Sequence, residues 1–295
     1  MAFDKIEIAP FDNLLVYKKG YTNEMVYNII TSKKLGGLRI FSVLKGDRLE
    51  SLDFLRDYTF LERLDVTSVA DYDFSFLREL TELKKLSINT QGENVINLIN
   101  QRSLEHLSVK WRKNIVGLGH CTQLLSLGLI EFTEENFKKI SPIKGLQEIR
   151  IKTGAIQNLA GIEEIANLQT LSLSNCKKLK CIIAVNHLIK LKELYLDMCP
   201  NIKDYVDVAD LPSLETLSLI NCGNVQTLKF IQQFKSLLKL SLLGNTIVGD
   251  GDLIPAKMIK HLEHKHYDHY NLKLENSVYN DNIKKNLVKI KNLFK

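Results

Sequence analysis

Hydrophobic residues recur along this chain in a hexamer, Leu-x-x-Leu-x-Leu or a close aliphatic variant, which restarts ten times at intervals of 20 to 26 residues. The hexamers begin at Leu35, Leu61, Leu83, Leu104, Leu124, Leu146, Leu168, Leu191, Leu214 and Leu237. A repeat of that period predicts a solenoid, in which stacked copies bury one continuous core. We therefore expect most of the 295 residues to form one elongated array.

Polar residues indicate the shape of each repeat. The fourth and sixth residues of a hexamer alternate with polar ones, as at Leu64, Asp65 and Val66, and this period of two predicts a short, half-buried strand. Apolar residues also stand three and six positions before the hexamers, and only Gln101 interrupts these two columns. Because one repeat cannot cover its own apolar face, we expect parallel strands on one side and turns or short helical segments on the other.

From Leu35 to Ile247 this pattern resembles the leucine-rich repeat family. The ninth repeat position, where that family tends to have Asn or Cys, is filled here by Cys176, Cys199, Cys222 and Asn245. Earlier copies have Val69, Gln91, Arg112, Phe132 and Gly154 there, so we expect less regular turns in the N-terminal half. The resemblance implies an α/β fold, a curved right-handed solenoid of about ten repeats with a parallel β-sheet on its concave side. It also implies a module that binds a protein partner.

The ends of such an array need caps, because terminal repeats would otherwise expose apolar faces. We predict an N-terminal cap over residues 1–34, the solenoid over 35–248 and a C-terminal cap over 249–295. The first cap should contain strands at 5–8 and 14–17, and a helix over 23–32 with Thr22 as its N-cap. The second should contain an edge strand over 269–274 and a lysine-rich helix over 282–294.

Outward residues at equivalent positions of successive strands should stand in rows on the concave face, about 4.8 Å apart. We predict a partner-binding surface from the larger polar and aromatic residues of these rows. They are Arg39, Asp65, Lys85, His106, Lys110, Trp111, Glu148, Arg150, Lys152, Glu193, Tyr195 and Asp197. Two sets look most like contact centres, His106 to Trp111 and Glu148 to Asp197, although a solvated side chain is the alternative interpretation for each residue alone.

The formal charge of +6 is concentrated at one end of the chain. Residues 257–295 contain nine lysines against four acidic residues, a difference of +5, so the repeats are nearly neutral. This weakens a nucleic-acid function for the solenoid, because phosphate binding needs a basic stripe. An alternative function remains an electrostatic docking protein whose basic C-terminal segment contacts membrane or nucleic acid.

Candidate chemistry is sparse. The stacked cysteines lack Cys-x-x-Cys pairing, and the four histidines between His261 and His269 do not converge on one helix or strand face, so we expect structural roles and no metal or other cofactor. No phosphate-binding loop, zinc-protease pair or nucleophile elbow occurs. We therefore predict a protein that is not an enzyme and has no small-molecule substrate.

The cellular compartment follows from weaker signals. The first residues do not read as a secretory signal, there is no Asn-x-Ser/Thr sequon, and the five cysteines are an odd number. These features favour a cytoplasmic protein, which we expect to be a monomer. Two versions of the binding function stay open, a scaffold and an intracellular inhibitor or immunity-like protein that blocks an enzyme.

Overall fold

The computed structural model describes residues 7–9, 13–44, 46, 48–209 and 211–272. The chain divides into two compact units, an N-terminal unit (Met1–Ile130) and a C-terminal unit (Glu131–Lys295). Each is built on a sheet whose strands follow the leucine hexamers. Within the described residues, no helix is both long and apolar enough to cross a bilayer.

The N-terminal unit has one helix and nine strands in its described part. Helix α1 covers Asn23–Lys33. The strands are β1 (Ile8–Ala9), β2 (Leu14–Tyr17), β3 (Gly37–Ser42), β4 (Arg63–Ser68), β5 (Lys85–Thr90), β6 (Ile96–Asn97), β7 (His106–Lys110), β8 (Ile115–Val116) and β9 (Ser126–Phe132), which ends two residues into the next unit. The main sheet has the order β1-β2-β3-β4-β5-β7-β9, parallel except for the antiparallel pair β1 and β2. Strands β6 and β8 form a small second ladder.

The C-terminal unit repeats this plan without a described α-helix. Its strands are β10 (Glu148–Gly154), β11 (Thr170–Ser174), β12 (Glu193–Asp197), β13 (Thr216–Ile220), β14 (Asn224–Val225), β15 (Lys239–Leu243), β16 (Ile247–Val248) and β17 (His261–His264). The main sheet has the order β10-β11-β12-β13-β15-β17, and all its pairs are parallel. Strands β14 and β16 pair separately.

Single 3-10 turns form the return segments, as the apolar columns predicted. In the N-terminal unit they cover Asp53–Asp57, Ser75–Glu79 and Leu118–His120. In the C-terminal unit they cover Ile162–Glu164, Ile183–His187, Tyr205–Asp207, Lys229–Gln233 and Ile254–Ala256. The aliphatic side chains at the column positions of these turns are buried with the hexamer leucines in the core of each unit, whereas Ile183, Val206 and Ile254 are exposed. This burial supplies the main stabilisation of the stack.

Gln101, the polar exception in those columns, is also fully buried. Its Nε2 donates a hydrogen bond of 2.6 Å to the carbonyl of Leu77, one repeat earlier. A buried amide is tolerated where it finds such a partner. The interruption in the sequence pattern therefore replaces an apolar contact by a bond between repeats.

The predicted helix at the N-terminal end is confirmed. Thr22 is the N-cap of α1, and its Oγ1 accepts a hydrogen bond of 3.2 Å from the Met25 amide. The helix ends at Lys34, which adopts a left-handed conformation (φ 51°) and donates its amide to the carbonyls of Ile30 and Thr31. The predicted strand over 14–17 is likewise present. Of the strand predicted over 5–8, residues 5 and 6 lie outside the described residues, and Ile8 lies in β1.

The predicted edge strand over 269–274 is wrong in its described part, where residues 269–272 form no strand. The last described strand is β17, whose Leu262 and His264 align with Leu240 and Leu242 of β15. Here Ile259, Leu262 and His264 stand at the hexamer positions, so the ladder continues for one more rung with a histidine as its last inward residue. The lysine-rich helix predicted over 282–294 lies outside the described residues.

Left-handed residues of the C-terminal unit stand at one repeat position, in the last residues of a strand or just after it. They are Glu131, Thr153, Asn175, Met198, Asn221 and Gly244, with φ between 54° and 67° except for Asn221 at 52°. The next residue in three consecutive repeats is a buried cysteine.

The cysteines at the ninth repeat position hold the turns together. The thiol of Cys199 donates a hydrogen bond of 3.4 Å to the carbonyl of Asp197. The thiol of Cys222 donates one of 3.3 Å to the carbonyl of Leu196. A hydrogen bond with Cys176, together with burial, raises the pKa of Cys199. Burial raises the pKa of Cys222 to about 12. These thiols stay protonated, which suits packing and not nucleophilic chemistry.

Candidate functional site

Each main sheet has one face on the core and an opposite face, called the outer face here. In the N-terminal unit the register aligns Arg39, Asp65, Ser87, Ser108 and Gly128 as Cα partners on successive strands. In the C-terminal unit it aligns Arg150, Ser172, Tyr195, Ser218, Ser241 and Glu263. Since inward leucines alternate with these residues, both rows stand on the outer faces.

An aspartate between two arginines lies at the start of the N-terminal unit's outer face. Asp65 Oδ2 accepts hydrogen bonds of 2.9 Å from the Nη2 atoms of both Arg39 and Arg63. Arg39 comes from the adjacent strand β3 and Arg63 from two residues earlier on β4. Arg63 was not among the residues predicted for the site. The sequence feature that could have identified Arg63 is its position in the repeat, which is the same as that of Lys85 on the next strand.

The next two strands carry more basic groups. Lys85 on β5 is exposed and aligns with His106 on β7, which is half-buried. Lys110, at the far end of β7, donates a hydrogen bond of 2.9 Å from Nζ to Oε1 of Gln91. The structure thus places His106 and Lys110 at opposite ends of one strand, on the same face.

Trp111 lies differently from the other predicted residues, because it is only 6% exposed. It follows Lys110, so the alternation of the strand turns its indole toward the core. Its amide donates a hydrogen bond of 2.8 Å to the carbonyl of Ile130. This burial removes Trp111 from the candidate surface and leaves His106 and Lys110 there.

In the C-terminal unit four of the predicted residues form two neighbouring pairs, Glu148 with Arg150 and Glu193 with Tyr195, which are called the cluster here. Arg150 makes an ion pair with Glu148 on the same strand, and each side chain is 23% exposed. Two strands away, the hydroxyl of Tyr195 forms a hydrogen bond with the carboxylate of Glu193. Glu193 also accepts a bond of 3.5 Å from Thr170 Oγ1, on the strand between them.

Tyr195 reports the electrostatics of this cluster. Burial raises its pKa to about 12, and the negative charge of Glu193 adds to the rise, while the positive charge of Arg150 opposes it. The phenol is therefore a neutral hydrogen-bonding group across the physiological range. Arg150 Nε is buried without a hydrogen-bond partner, which leaves one donor of the guanidinium unused.

Asp197 and Lys152 lie at the other end of the same strands. Asp197 accepts hydrogen bonds of 3.3 Å from Ser174 Oγ and from Asn221 Nδ2. Lys152 is exposed and aligns with Ser174, so one strand separates it from Asp197. Lys152 and Asp197 therefore lie beside the cluster of Glu148, Arg150, Glu193 and Tyr195 on the same outer face.

Sequence reasoning missed a further polar group on this outer face. Glu263 on β17 accepts a hydrogen bond of 2.7 Å from Ser241 Oγ and lies 3.4 Å from Lys239 Nζ. The signal that could have found it is the hexamer variant at Ile259, Leu262 and His264, which puts Glu263 in the central row.

Hydrogen-bonding groups, charges and the phenol of Tyr195 make up the chemistry of the candidate residues on these faces. Among the described residues, no three His, Cys, Asp or Glu side chains lie close enough together to hold a metal ion. The partly desolvated arginines and tyrosine are types that often carry interface energy. The arrangement suits recognition of another macromolecule.

Comparisons with known proteins agree with this architecture. Residues 145–245 match the family model described as the LRR domain of the endo-beta-N-acetylglucosaminidase EndoS. A comparison with curated proteins gives no match.

Two solved structures are similar in fold. An internalin (inlF) from Listeria monocytogenes has a TM-score of 0.53 and 19% identity, over 80% of this chain and 75% of that one. A chain in the Toll–Spatzle complex of Drosophila has a TM-score of 0.57 and 16% identity, over 80% of this chain and 38% of that one. At such identities the likeness is one of fold.

Proposed function

We propose that this chain, which is a leucine-rich repeat protein, binds a protein partner through the outer faces of its sheets. The observation that carries the proposal is the cluster of Glu148, Arg150, Glu193 and Tyr195. Its arginine and tyrosine are fixed by neighbours on their own strands before any partner arrives. Such preorganisation lowers the entropy that binding would otherwise cost.

The surroundings of the cluster favour close approach of a partner. Ser172, Ser218 and Ser241 occupy the central row beside the cluster, and all three are buried at the level of the sheet. Arg150 and Tyr195 are larger residues of that row, as is Glu263 at its end, so a partner that rests on the serines contacts their side chains. Arginine and tyrosine at the centre of an interface typically carry much of its binding energy.

The function needs no catalysis by this chain. Its cysteines at the turn position are buried thiols, and its outer faces offer donors, acceptors and charges held by other side chains. The solved relative in the Toll–Spatzle complex comes from a complex of two proteins, which supports the binding role proposed here. An inhibitor that covers an enzyme would use the same surface as a scaffold.

We further propose that the protein works in the cytoplasm as a monomer. All five cysteines are free, and four of them are buried. A chain with this many unpaired thiols suits a reducing compartment.

The test uses the double variant Arg150→Ala/Tyr195→Ala. A partner is first captured from the native cell with the wild-type chain, identified by mass spectrometry and purified. Titration calorimetry should then give a Kd for the double variant at least about 10-fold weaker, because both central anchors are truncated.

A matched control changes the same residue types elsewhere. Arg102→Ala/Tyr27→Ala removes an exposed arginine and an exposed tyrosine that lie outside the outer face. Its Kd should equal that of the wild type, and circular dichroism should be the same for all three proteins. Equal affinity of the Arg150→Ala/Tyr195→Ala variant and the wild type would place the binding site elsewhere.

A further inference from the structure

The outer faces of the two units carry charge of opposite sign. On the N-terminal unit the large polar residues are Arg39, Arg63, Lys85, His106 and Lys110 against Asp65. Four Lys and Arg minus one Asp give +3 with neutral histidine. On the C-terminal unit Arg150, Lys152 and Lys239 stand against Glu148, Glu193, Asp197 and Glu263, which gives −1. We call the N-terminal set of Arg39, Arg63, Lys85, His106 and Lys110 the basic surface.

Asp65 orients two of the arginines of this basic surface. One of its carboxylate oxygens lies 2.9 Å from the Nη2 atoms of both Arg39 and Arg63. The two guanidinium groups keep 29% and 24% of their side-chain surface exposed. Each arginine directs Nε and Nη2 at Asp65, so both are fixed in direction, and both still reach solvent, where their positive charge can attract a second carboxylate.

The floor between the basic groups is small and tightly packed. Ser87, Ser108 and Gly128 form the central row of strands β5, β7 and β9. A Cβ added at Gly128 would lie 3.2 Å from Ser108 Oγ, so there is little room for a side chain between strands β7 and β9 at this position. Small side chains there let the main chain of a ligand approach the sheet, while longer basic groups stand on both sides.

The basic groups are spaced for an extended ligand. Neighbouring strands lie about 4.8 Å apart, and positions four residues apart on one strand are separated by about 13 Å. Lys85 and His106 are related by the first spacing, and His106 and Lys110 by the second. Flexible lysines can cover the gap to carboxylates that alternate along an extended peptide, whose same-side residues repeat every ~6.7 Å.

We propose that the basic surface binds an acidic, extended segment of the protein partner, so that Asp and Glu side chains of that segment contact Arg39, Arg63, Lys85 and Lys110. This rests on the proposed function, which it deepens by giving the partner's chemistry. The surface is short and is interrupted by Asp65 between two of its arginines, whereas nucleic acid requires a longer uninterrupted row of cations. Peptide carboxylates, spaced along an extended chain, suit separate cations of this kind.

The probe is a fluorescein-labelled peptide of four Glu-Ser pairs, and fluorescence anisotropy measures its binding to the full chain at 20 and 150 mM salt. The wild-type chain should bind it, more weakly at the higher salt because exposed charges are screened. The variant Lys85→Glu/Lys110→Glu should weaken binding at least about 10-fold, since two attractive contacts become repulsive.

The matched control is Lys139→Glu/Lys203→Glu, which makes the same change of net charge at two exposed lysines outside the outer faces. It should bind the peptide as the wild type does. Equal losses of peptide affinity in the two charge-reversed variants would mean that only the net charge of the protein matters, and would overturn the proposal. The same holds if the wild type does not bind the peptide, or binds single-stranded dT12 more tightly than the peptide.

The purified partner separates this inference from the proposed function. Arg150→Ala/Tyr195→Ala should leave binding of the acidic peptide unchanged while it weakens binding of the partner. If the partner's Kd responds to Arg150→Ala/Tyr195→Ala and not to Lys85→Glu/Lys110→Glu, the acidic segment is refuted and the proposed function stands. If it responds only to the lysine reversals, the basic surface stands and the anchor cluster is refuted.

Discussion

Arg112 is a buried cation that hydrogen-bonds the preceding repeat at the turn position where the C-terminal unit has cysteine. It occupies the same ninth repeat position and is 4% exposed. Its Nη2 donates to the carbonyl and hydroxyl oxygens of Thr90 at 3.1 and 2.9 Å, and Nη1 lies 3.6 Å from Asp71 Oδ1. Burial lowers the pKa of Arg112, and the charge of Asp71 opposes this. Arginine is rarely buried, so the sequence pattern alone indicated only an irregular turn here.

We expect Arg112→Ala to lower the free energy of unfolding by about 3 kcal/mol, because it removes several charge-assisted hydrogen bonds and leaves acceptors unpaired. Urea denaturation followed by circular dichroism measures the change. The control Arg102→Ala, at an exposed arginine of the same unit, should change it by less than about 0.5 kcal/mol. Similar effects of the two substitutions would refute a structural role for the Arg112 contacts.

Tyr195 predicts a pH dependence of stability. Its pKa is raised from 10.0 to about 12, so the folded protein keeps the phenol proton at pH values where the unfolded chain loses it. The resulting stabilisation is complete below pH 10 and disappears as the pH rises from there to about 12. Urea denaturation between pH 9 and 12 should show the wild type losing stability relative to Tyr195→Phe. Parallel curves for the two proteins would contradict the raised pKa.

At the scale of elements, the sequence pattern predicted those features that depend on neighbouring residues alone. The strand positions follow from the alternation inside each hexamer, and the start of α1 follows from Thr22 as N-cap. Strand β17 was missed because His264 stands where earlier copies have an aliphatic residue. The pairing of Asp65 with Arg63 could not be predicted, since it depends on side-chain conformations that repeat spacing does not determine.

Helix α1 offers a test with an internal control. Thr22→Ala should destabilise the protein by about 1 kcal/mol, because the Met25 amide loses its side-chain acceptor. Thr31 lies in the last turn, and its Oγ1 donates to the Tyr27 carbonyl at 2.8 Å, a bond that favours bending more than stability. Thr31→Ala should therefore be neutral within about 0.5 kcal/mol by thermal denaturation. A larger loss in Thr31→Ala than in Thr22→Ala would contradict the capping role.

At the scale of the whole molecule, stability is expected to be distributed by repeat. In stacked arrays each repeat contacts its neighbours, so stability is close to a sum of repeat and interface contributions. The contacts of Arg112 reach back to Thr90 and Asp71, which lie in the preceding repeats of the N-terminal unit. A substitution of Arg112 should therefore lower local stability first in that part of the chain.

Hydrogen exchange measured by mass spectrometry can map this effect. In Arg112→Ala the amides of β5, β7 and β9 should lose protection by at least about 10-fold, in line with a local loss above 1.4 kcal/mol. Amides of β12, β13 and β15 should change much less. An equal loss of protection in both groups of strands would instead indicate a single cooperative unfolding unit.

The left-handed residues at the strand ends of the C-terminal unit mark where this chain has room to become more thermostable. Thr153 is β-branched at φ 63°, a conformation that costs such residues on the order of 1–2 kcal/mol. Its neighbours in the column already include Asn175, Asn221 and Gly244, which tolerate that geometry better. These turns stand apart from the rows of Arg150 and Tyr195. Substitution by asparagine or glycine at these turns, in evolution or by engineering, would thus raise the free energy of unfolding and leave the recognition residues unchanged.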